Sequence, residues 1–315
     1  MPVSVVSYGG RFGFFSRKYL PKLSFRGFSL LHLMGNKEEL NYIRYCLATK
    51  EHYLPVSVDI ETINRCNGTC SFCPANKHDE KRPYQKMDDA LFEKILVELS
   101  GLNYSGTVSL FGNNEPFLDA RMPEMLKMTR SLLTKAKIHM YTNGILLTKE
   151  KLNSVAVYID CLRINNYSEK YELTESSKMI YEHVRQNESH FRNTEVIIDL
   201  RYNGEYLSNR AKSAPNKADS KKIITSTCLL PFSDLNIKPD GTVSLCCCDV
   251  FGKNDFGNVK DQSILEIFHG EKFKEIRKMI YPSRSNVAFC KYCDFIEKGG
   301  RAKFYNNHGL QFAKD

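Results

Sequence analysis

Three cysteines, Cys66, Cys70 and Cys73, lie within eight residues, and their spacing restricts what the chain can fold into and bind. Thiolates are soft ligands that suit iron–sulfur clusters or zinc. A structural zinc site and an ordinary cubane cluster each take four protein ligands, whereas the local count here is three. The C-x3-C-x2-C spacing therefore indicates a [4Fe–4S] cluster with one iron open to an outside ligand. A zinc loop, a disulfide with a spare thiol, and structural cysteines are the alternatives.

The residues around this cysteine loop match a known superfamily. The loop follows a strand-like run at 56–60 and precedes a helix, and Phe72 stands just before the third cysteine. In these features the chain resembles the radical S-adenosylmethionine (radical SAM) superfamily. The resemblance implies that the amino and carboxylate groups of SAM chelate the open iron, with Phe72 close to the cofactor. It also implies that one electron from the cluster cleaves SAM to methionine and a 5′-deoxyadenosyl radical.

Length and composition limit the class of protein. The 315 residues suffice for one barrel domain and a small accessory domain. No apolar run approaches the roughly 18–20 residues of a membrane span, and the N-terminus lacks a secretory signal. Eleven cysteines, grouped as a triplet and pairs, indicate metal ligation in a reducing cytoplasm. The net charge of +9 can attract nucleic acid, acidic lipid or an anionic substrate, but it is spread along most of the chain, and nucleic acid is not expected as a partner.

From residue 55 onward, strand-like and helical patterns alternate. The strand-like runs are 56–61, 107–112, 137–142, 158–165 and 194–202. Helices are predicted between them, the first capped by Asp88 or Asp89, and others near 121–135, 148–155 and 174–189. Such alternation predicts an α/β fold with a parallel sheet and right-handed crossovers. Five strands make a partial, TIM-like (β/α)5–6 barrel, whose sites gather at the C-terminal ends of the strands. The cysteine loop follows the first of these strands.

The second and third strands end in residues that resemble SAM-binding motifs of the superfamily. The stretch Gly112-Asn113-Asn114-Glu115-Pro116 resembles Gly-Gly-Glu-Pro, whose backbone and Glu hold the SAM amino group. The resemblance implies contacts from Gly112, Asn113 and Glu115; a plain turn is the alternative. Thr142-Asn143-Gly144 resembles the ribose-contacting motif, which makes Asn143 a candidate contact to the sugar hydroxyls.

The fourth and fifth strands end in two further candidate SAM contacts. Asn165 lies at the end of the fourth strand and Arg201 near the end of the fifth. Arginine favours bidentate contacts to carboxylates, so Arg201 is predicted to pair with the SAM carboxylate. A solvated surface arginine is the alternative.

A second group of cysteines follows the barrel. Cys228 and Cys246 flank Gly241 in a Cys-x12-Gly-x4-Cys unit, and Cys290 and Cys293 form a C-x2-C pair. The unit resembles the opening of the SPASM domain of radical SAM enzymes, in its shortened twitch form. The resemblance implies an auxiliary [4Fe–4S] cluster with these four cysteines as ligands. A zinc ribbon with the same ligands is the alternative.

The turn Pro239-Asp240-Gly241 predicts a hairpin between 234–238 and 242–247, which brings Cys246 beside Cys228. Cys247 and Cys248 follow Cys246 directly. In a strand, residues 246 and 248 share a face while 247 points the other way. Cys247 and Cys248 are weak candidates for a hydrogen-atom donor or a substitute ligand, and buried thiols are the alternative.

The predicted organisation has five parts. They are a basic and aromatic extension (1–54), a radical SAM partial barrel (55–202), a polar linker (203–226), an auxiliary cluster module (227–295) and a tail (296–315). The extension contains no Asp or Glu in its first 36 residues. We expect it to pack over the barrel with its aromatic side chains inward, a membrane surface or an anionic partner being the alternative.

This plan resembles that of radical SAM dehydrogenases that join a truncated barrel to a twitch domain. The resemblance implies that the adenosyl radical removes hydrogen from a carbinol carbon of a small, sugar-like substrate, and that the auxiliary cluster accepts the second electron. It also implies an external one-electron reductant such as flavodoxin or ferredoxin. The alternatives are a peptide-modifying enzyme that makes a thioether, an epimer or a carbon–carbon link, and a zinc-stabilised binding module without catalysis.

Overall fold

The computed structural model describes residues 2–6, 37–49, 52–75, 82–170, 172–205, 207–219 and 221–295. Most of the basic and aromatic segment and the whole of the tail 296–315 lie outside these residues. The predicted packing of that segment over the barrel is therefore not tested.

Within the described residues, nine strands form one sheet in the order β1-β6-β5-β4-β3-β2-β7-β8-β9. The strands are β1 (Val3–Val6), β2 (Ser57–Ile60), β3 (Thr107–Ser109), β4 (Lys137–Thr142), β5 (Cys161–Tyr167), β6 (Glu195–Arg201), β7 (Asp234–Ile237), β8 (Thr242–Ser244) and β9 (Asp255–Asn258). Neighbouring strands run parallel from β1 through β7, and the last two pairings are antiparallel. The parallel part confirms the predicted α/β alternation.

Helices connect these strands. They are α1 (Lys37–Ala48), α2 (Asp89–Gly101), α3 (Met122–Leu132), α4 (Lys149–Ala156), α5 (Glu175–Gln186), α6 (Leu230–Ser233), α7 (Ile264–Phe268) and α8 (Glu271–Ile280). Asp88 caps α2 by accepting the N–H groups of residues 90 and 91, and Thr148 and Thr174 cap α4 and α5. These side chains satisfy backbone donors that the first helical turn leaves without partners. No helix among the described residues is both long and apolar enough to cross a bilayer.

A single apolar cluster runs through the part of the chain that the structure describes. It includes Val108 of β3 and Ile198 of β6, and equally Leu235 of β7 and Val243 of β8. The predicted barrel and the predicted cysteine module therefore share one core. The domain boundaries between them stay a prediction, because the sheet and its core continue across them.

Two strands in this sheet have roles that local pattern did not indicate. β7 was predicted as one arm of a hairpin, which it forms with β8 around Gly241 (φ +85°), but it also pairs in parallel with β2. All four β7 residues are buried, as expected for a strand with neighbours on both sides. β1 was not predicted, and it adds a parallel strand beyond β6.

The predicted linker is partly packed. Glu205, Asn209 and Ala214 are buried within its described residues. Asn209 donates from Nδ2 to the carbonyl of Tyr292 and accepts from the N–H of Asp294. This polar stretch therefore lies against the end of the cysteine module, and hydrogen bonds join the two.

Candidate functional site

The cysteine loop lies at the C-terminal end of β2, on the edge of the sheet where the loops after β3 and β4 also lie. Its three thiols are free and half-buried. The N–H of Gly68 donates to Cys66 Sγ at 3.2 Å. A Cβ atom at Gly68 would lie 3.3 Å from Cys66 Sγ and 3.8 Å from Cys70 Sγ. The space between these two sulfur atoms is open because residue 68 is glycine.

Burial raises the pKa of the Cys66 thiol to about 12, while the N–H of Gly68 lowers it. A thiol with such a pKa stays protonated at neutral pH, so its thiolate form requires a compensating positive charge such as a bound metal. An all-thiol donor set around a small open space fits an iron–sulfur cluster.

Glu115 connects three segments of the site and is 1% exposed. Its carboxylate accepts hydrogen bonds from Thr142 Oγ1 at 2.7 Å, from Asn143 N at 2.8 Å and from Phe117 N at 3.2 Å. Its own N–H donates to the carbonyl of Arg65, just before the cysteine loop. Burial raises the pKa of Glu115, and the three donors oppose that rise. Both carboxylate oxygens thus accept hydrogen bonds from the chain itself, and the predicted contact to the SAM amino group stays a prediction.

Asn143 reaches from the end of β4 to the cysteine loop. Its Nδ2 donates to Asn67 Oδ1 at 2.7 Å and lies 3.8 Å from Cys66 Sγ. Its Oδ1 accepts from the N–H of Ile145 at 2.9 Å. The structure therefore brings the predicted ribose contact and the predicted cluster loop together.

Gly112 and Asn113 open the predicted SAM motif and face different neighbours. A Cβ atom at Gly112 would lie 3.1 Å from Cβ and 3.2 Å from Oε2 of Glu61. Any side chain at this position would therefore crowd Glu61. Asn113 is buried. Its Nδ2 donates to the carbonyl of Cys247 at 3.3 Å, and its Oδ1 accepts from Arg210 Nη1 at 2.5 Å. One motif residue thus contacts the second cysteine module.

Arg201 lies beside the cysteine loop, at the end of β6. Its guanidinium donates to Glu205 Oε2 at 2.6 Å and 3.2 Å and to Asn165 Oδ1 at 3.1 Å. It also lies over the rings of Phe72 and Tyr167, 5.9 Å and 5.5 Å from their centroids. The structure groups the three predicted residues Phe72, Asn165 and Arg201. Glu205 already accepts hydrogen bonds from two nitrogen atoms of Arg201. The predicted pairing of Arg201 with the SAM carboxylate therefore stays a prediction.

The second cysteine module surrounds one cavity. Five thiols line it, those of Cys228, Cys246, Cys248, Cys290 and Cys293. All five are free. Among the described residues, no three ligating side chains lie close enough together to hold a single metal ion. The thiols instead surround a space, and a group of soft thiol donors fits an iron–sulfur cluster.

Arg284 lines the same cavity and supplies a positive charge there. It is buried, and its guanidinium donates to the carbonyls of Ser226, Thr227, Cys293 and Phe295. Burial raises the pKa of Cys228 to about 12, and the charge of Arg284 opposes that rise. Sequence reasoning missed this residue, because an arginine in a polar segment carries no local sign of burial.

Cys246, Cys247 and Cys248 lie in a turn after β8, where the prediction placed them in the second arm of the hairpin. β8 ends at Ser244, and the N–H of Asp249 donates to the carbonyl of Cys246 to close the turn. Cys246 and Cys248 are buried and line the cavity, while Cys247 is half-buried and does not line it. As expected, Cys247 lies on a different side from Cys246 and Cys248, although the cause is a turn rather than a strand.

Sequence reasoning also missed Arg210, which lies in the predicted linker. Its guanidinium donates to Asn113 and is close enough to Cys73, Cys247 and Cys248 for their charges to raise its pKa against the effect of burial. Three successive residues, 210–212, have φ of 44°, 51° and 70°, a left-handed conformation that is costly outside glycine. Arg210 thus lies between the two groups of cysteines.

The fold and these two groups of thiols agree with the comparisons of the chain with known families. Residues 60–165 match the radical SAM superfamily, and residues 228–294 match the SPASM family, described as an iron–sulfur cluster-binding domain. The chain therefore contains a radical SAM region, followed by a C-terminal SPASM-type module. These matches confirm the predicted fold class and the predicted classes of cofactor, SAM and iron–sulfur clusters.

Three matches indicate which known proteins the chain is similar to. It is 27% identical over 242 residues to the S-adenosyl-L-methionine-dependent 2-deoxy-scyllo-inosamine dehydrogenase of Niallia circulans, covering 76% of this chain and 92% of the relative. A crystal structure of BtrN in complex with AdoMet and 2-DOIA matches with a TM-score of 0.64 and 25% identity, over 77% of this chain and 94% of that chain. A histidine-tagged anSMEcpe with bound AdoMet matches at a TM-score of 0.51 and 15% identity, over 72% and 81%, which shows a shared fold alone.

Proposed function

We propose that this protein is a radical SAM dehydrogenase that oxidises a carbinol carbon of a small, sugar-like substrate. The observation that carries the proposal is the contact of Asn113, within the SAM motif, with both Arg210 and the carbonyl of Cys247. The SAM site and the auxiliary module thus share one polar junction. The similarity to the Niallia circulans dehydrogenase, matched over 92% of its length, supports the same reaction class.

The proposed cofactor contacts follow the two groups of thiols. Cys66, Cys70 and Cys73 would hold the SAM-binding cluster, and Cys228, Cys246, Cys290 and Cys293 the auxiliary cluster. When bound, SAM and its cluster would supply the radical that takes a hydrogen atom from the substrate, and the auxiliary cluster would accept the second electron.

The chain's own residues would hold the substrate at the junction. The guanidinium of Arg210 offers donors to a hydroxyl oxygen and would hold that oxygen in place. The Asn113 amide holds that guanidinium in place. The side chains of Arg201, Phe72 and Tyr167 pack together beside the cysteine loop and would exclude water from that side.

We also propose an external one-electron reductant such as flavodoxin or ferredoxin. The net charge of +9 favours association with an acidic partner. A reducing, cytoplasmic compartment suits both such a partner and eleven cysteines.

Replacing any one of Cys66, Cys70 and Cys73 with Ala should abolish reductive cleavage of SAM, because the open-iron cluster then lacks a ligand. The measurement is formation of 5′-deoxyadenosine under dithionite after anaerobic reconstitution. The wild-type protein should bind about eight irons, two cubanes' worth. A zinc-stabilised binding module would take up no such iron, and cleavage retained in any of the three variants would refute the assignment.

Replacing both Cys290 and Cys293 with Ala should lower iron content by about four atoms per chain. Cleavage of SAM should persist, whereas oxidation of substrate should stop because the second electron has lost its acceptor. With 2-deoxy-scyllo-inosamine as the first probe, the readout is ketone formed per 5′-deoxyadenosine. Unchanged iron content would exclude the pair as ligands, and turnover of a peptide in place of carbinols would favour the peptide-modifying alternative.

A further inference from the structure

The turn that carries Cys290 and Cys293 has an inner and an outer face. Both thiols line the auxiliary cavity, which lies on the inner face. The N–H of Cys293 donates to the carbonyl of Cys290 at 2.9 Å within this turn. Lys291 and Tyr292 lie between the two cysteines, are half-buried and do not line the cavity. Their side chains therefore form the outer face, and each residue is the sequence neighbour of a proposed cluster ligand.

Two lysines gather around the ring of Tyr292. Lys212 Nζ lies 3.9 Å from the centroid of that ring, and Lys291 Nζ lies 5.4 Å from it. Lys212 ends the left-handed stretch 210–212, so the chain adopts a costly backbone conformation where it presents this lysine. Two ammonium groups held at one ring repel each other. An anionic group from outside would relieve that repulsion.

A second segment adds positive charge and an apolar side chain beside the same turn. The N–H of Ile224 donates to the carbonyl of Lys291 at 2.9 Å, so the residues just before it run past the turn. Lys221 and Lys222 are exposed, and Ile223 is 48% exposed. We define the Tyr292 face as Lys212, Lys221, Lys222, Ile223, Lys291 and Tyr292. It combines four lysines with one aromatic and one aliphatic side chain.

Carboxylates of the described residues leave the charge of the Tyr292 face in place. Asp294, at the end of the same turn, pairs with Lys217 instead. Among the residues that the structure describes, no carboxylate forms an ion pair with any of the four lysines. The face is therefore positively charged toward solvent.

The partner that complements this charge comes from another molecule. The tail 296–315 holds four Lys or Arg against two Asp or Glu, and residues 1–36 hold no Asp or Glu. A second copy of the chain carries the same net charge of +9. Like charges repel, so neither these segments nor a second copy suits the face, whereas an acidic protein does.

We propose that the Tyr292 face is the docking surface of an acidic one-electron carrier protein. The inference rests on the proposed function, in which oxidation of each carbinol leaves one electron with the auxiliary module. That electron leaves through the turn of Cys290 and Cys293: the module loses one electron, and the oxidised carrier gains one. The lysines steer the carrier to the face, and Ile223 and Tyr292 provide its apolar contact.

The test measures binding of an acidic, plant-type [2Fe–2S] ferredoxin to the full reconstituted chain by surface plasmon resonance. Lys212→Glu and Lys291→Glu, made together, should lower the association rate constant about tenfold at an ionic strength of about 0.01 M. At about 0.15 M the difference from wild type should shrink, because the Debye length falls from about 30 Å to about 8 Å.

The matched control is Lys127→Glu with Lys178→Glu, which makes the same change in net charge at exposed positions of α3 and α5. It should alter the association rate constant by less than about twofold. A second variant of the face, Lys221→Glu with Lys222→Glu, should act in the same direction as the first. It leaves the left-handed stretch and the contacts to the Tyr292 ring unchanged, so a fall in both variants does not arise from misfolding at residue 212.

The proposal is overturned if wild type does not bind the ferredoxin at low ionic strength, or if the control slows association as much as the two variants of the face. Tighter binding of a single-stranded DNA oligonucleotide, with the same dependence on these lysines, would also overturn it, because the face would then bind nucleic acid. These measurements use neither SAM cleavage nor substrate. Failure here is therefore distinct from failure of the proposed dehydrogenase activity, which the iron content and SAM cleavage of the wild type decide.

Discussion

Glu115 holds the candidate SAM site together through contacts within the chain. Its carboxylate accepts from the side chain of Thr142 and from the N–H groups of Asn143 and Phe117, while its N–H donates to Arg65. Charged acceptors strengthen such bonds. The loop after β3, the end of β4 and the start of the cysteine loop therefore depend on one buried carboxylate.

Replacing Glu115 with Gln should destabilise the fold even without any cofactor. An amide keeps one acceptor oxygen but turns the other position into a donor, which then faces a donor of the chain. Hydrogen bonds to charged groups are worth about 1.5–3 kcal/mol, and we expect a loss of that order in the free energy of unfolding. Urea titration followed by circular dichroism measures it.

A matched control for this substitution is Glu93→Gln on the exposed face of α2, which should change stability by less than about 0.5 kcal/mol. Equal stability of the Glu115→Gln variant and the wild type would mean that the three hydrogen bonds contribute little. In that case the carboxylate would be available for the predicted contact with the SAM amino group.

The predictability of the site differs from residue to residue. The cysteines and Glu115 could be predicted because their spacing and their places after strands are local signals. Arg210 could not be predicted, because its partner Asn113 is 97 positions away and nothing in the polar stretch around it marks the contact. Arg284 was missed for the same reason, since the carbonyls that it contacts are up to 58 positions distant.

At the scale of elements, His269 joins the end of α7 to the segment before β2. Its Nε2 donates to the carbonyl of Tyr53 at 2.8 Å, and its ring stacks on His52 with centroids 4.6 Å apart. Burial lowers the pKa of His269 to about 4, and the cations of Arg277 and Lys274 add to that effect. Burial therefore favours the neutral ring, whereas the hydrogen bond to the Tyr53 carbonyl favours the protonated ring.

This histidine should make stability depend on pH between about 6.5 and 4. In the unfolded chain His269 binds a proton below about pH 6.5, whereas in the folded chain it binds one only below about pH 4. The unfolded state thus binds more protons in this window, so stability is full above it and falls as pH drops through it. Discounted for partial exposure, the loss is about 1–2 kcal/mol.

The measurement compares the free energy of unfolding of wild type and His269→Gln across that pH window. Gln can still donate to the Tyr53 carbonyl but does not titrate, so the variant should lose less stability than the wild type on acidification. Identical pH profiles for the two proteins would show that protonation of His269 does not cause the loss of stability.

Element boundaries were predictable where caps and periodicity agree, and less so where tertiary pairing decides. Asp88 and the pattern that follows it placed α2 correctly. β8 was expected to reach residue 247, but it ends at Ser244, because the turn closed by Asp249 ends the pairing earlier. The parallel pairing of β7 with β2 joins residues about 177 positions apart, and no local pattern encodes it.

At the scale of the whole molecule, the pairing of β7 with β2 joins the predicted barrel and the predicted cysteine module in one sheet. A buried ion pair reinforces it. Lys238, just after β7, donates from Nζ to Glu61 Oε2 at 2.8 Å, just after β2, and both side chains are at most 9% exposed. Its two residues lie on opposite sides of the predicted linker in the sequence, and Glu61 lies against Gly112 of the predicted SAM motif. We therefore expect both halves of the molecule to unfold together.

The substitutions Lys238→Met and Glu61→Met, made singly and together, test this expectation. Either one alone leaves an uncompensated buried charge and should cost about 3–5 kcal/mol, whereas the double variant should lose far less than the sum of the single losses. Lys274→Met, which breaks an exposed ion pair with Glu271, is the control and should cost at most about 1 kcal/mol.

Native-state hydrogen exchange can follow amides of β4–β6 and of β8–β9 separately. Because β2 and β7 share one core with both groups of strands, Lys238→Met should lower protection equally in the two groups. A loss confined to β8–β9 would mean that the cysteine module unfolds on its own and that the predicted boundary near residue 226 separates two independent domains.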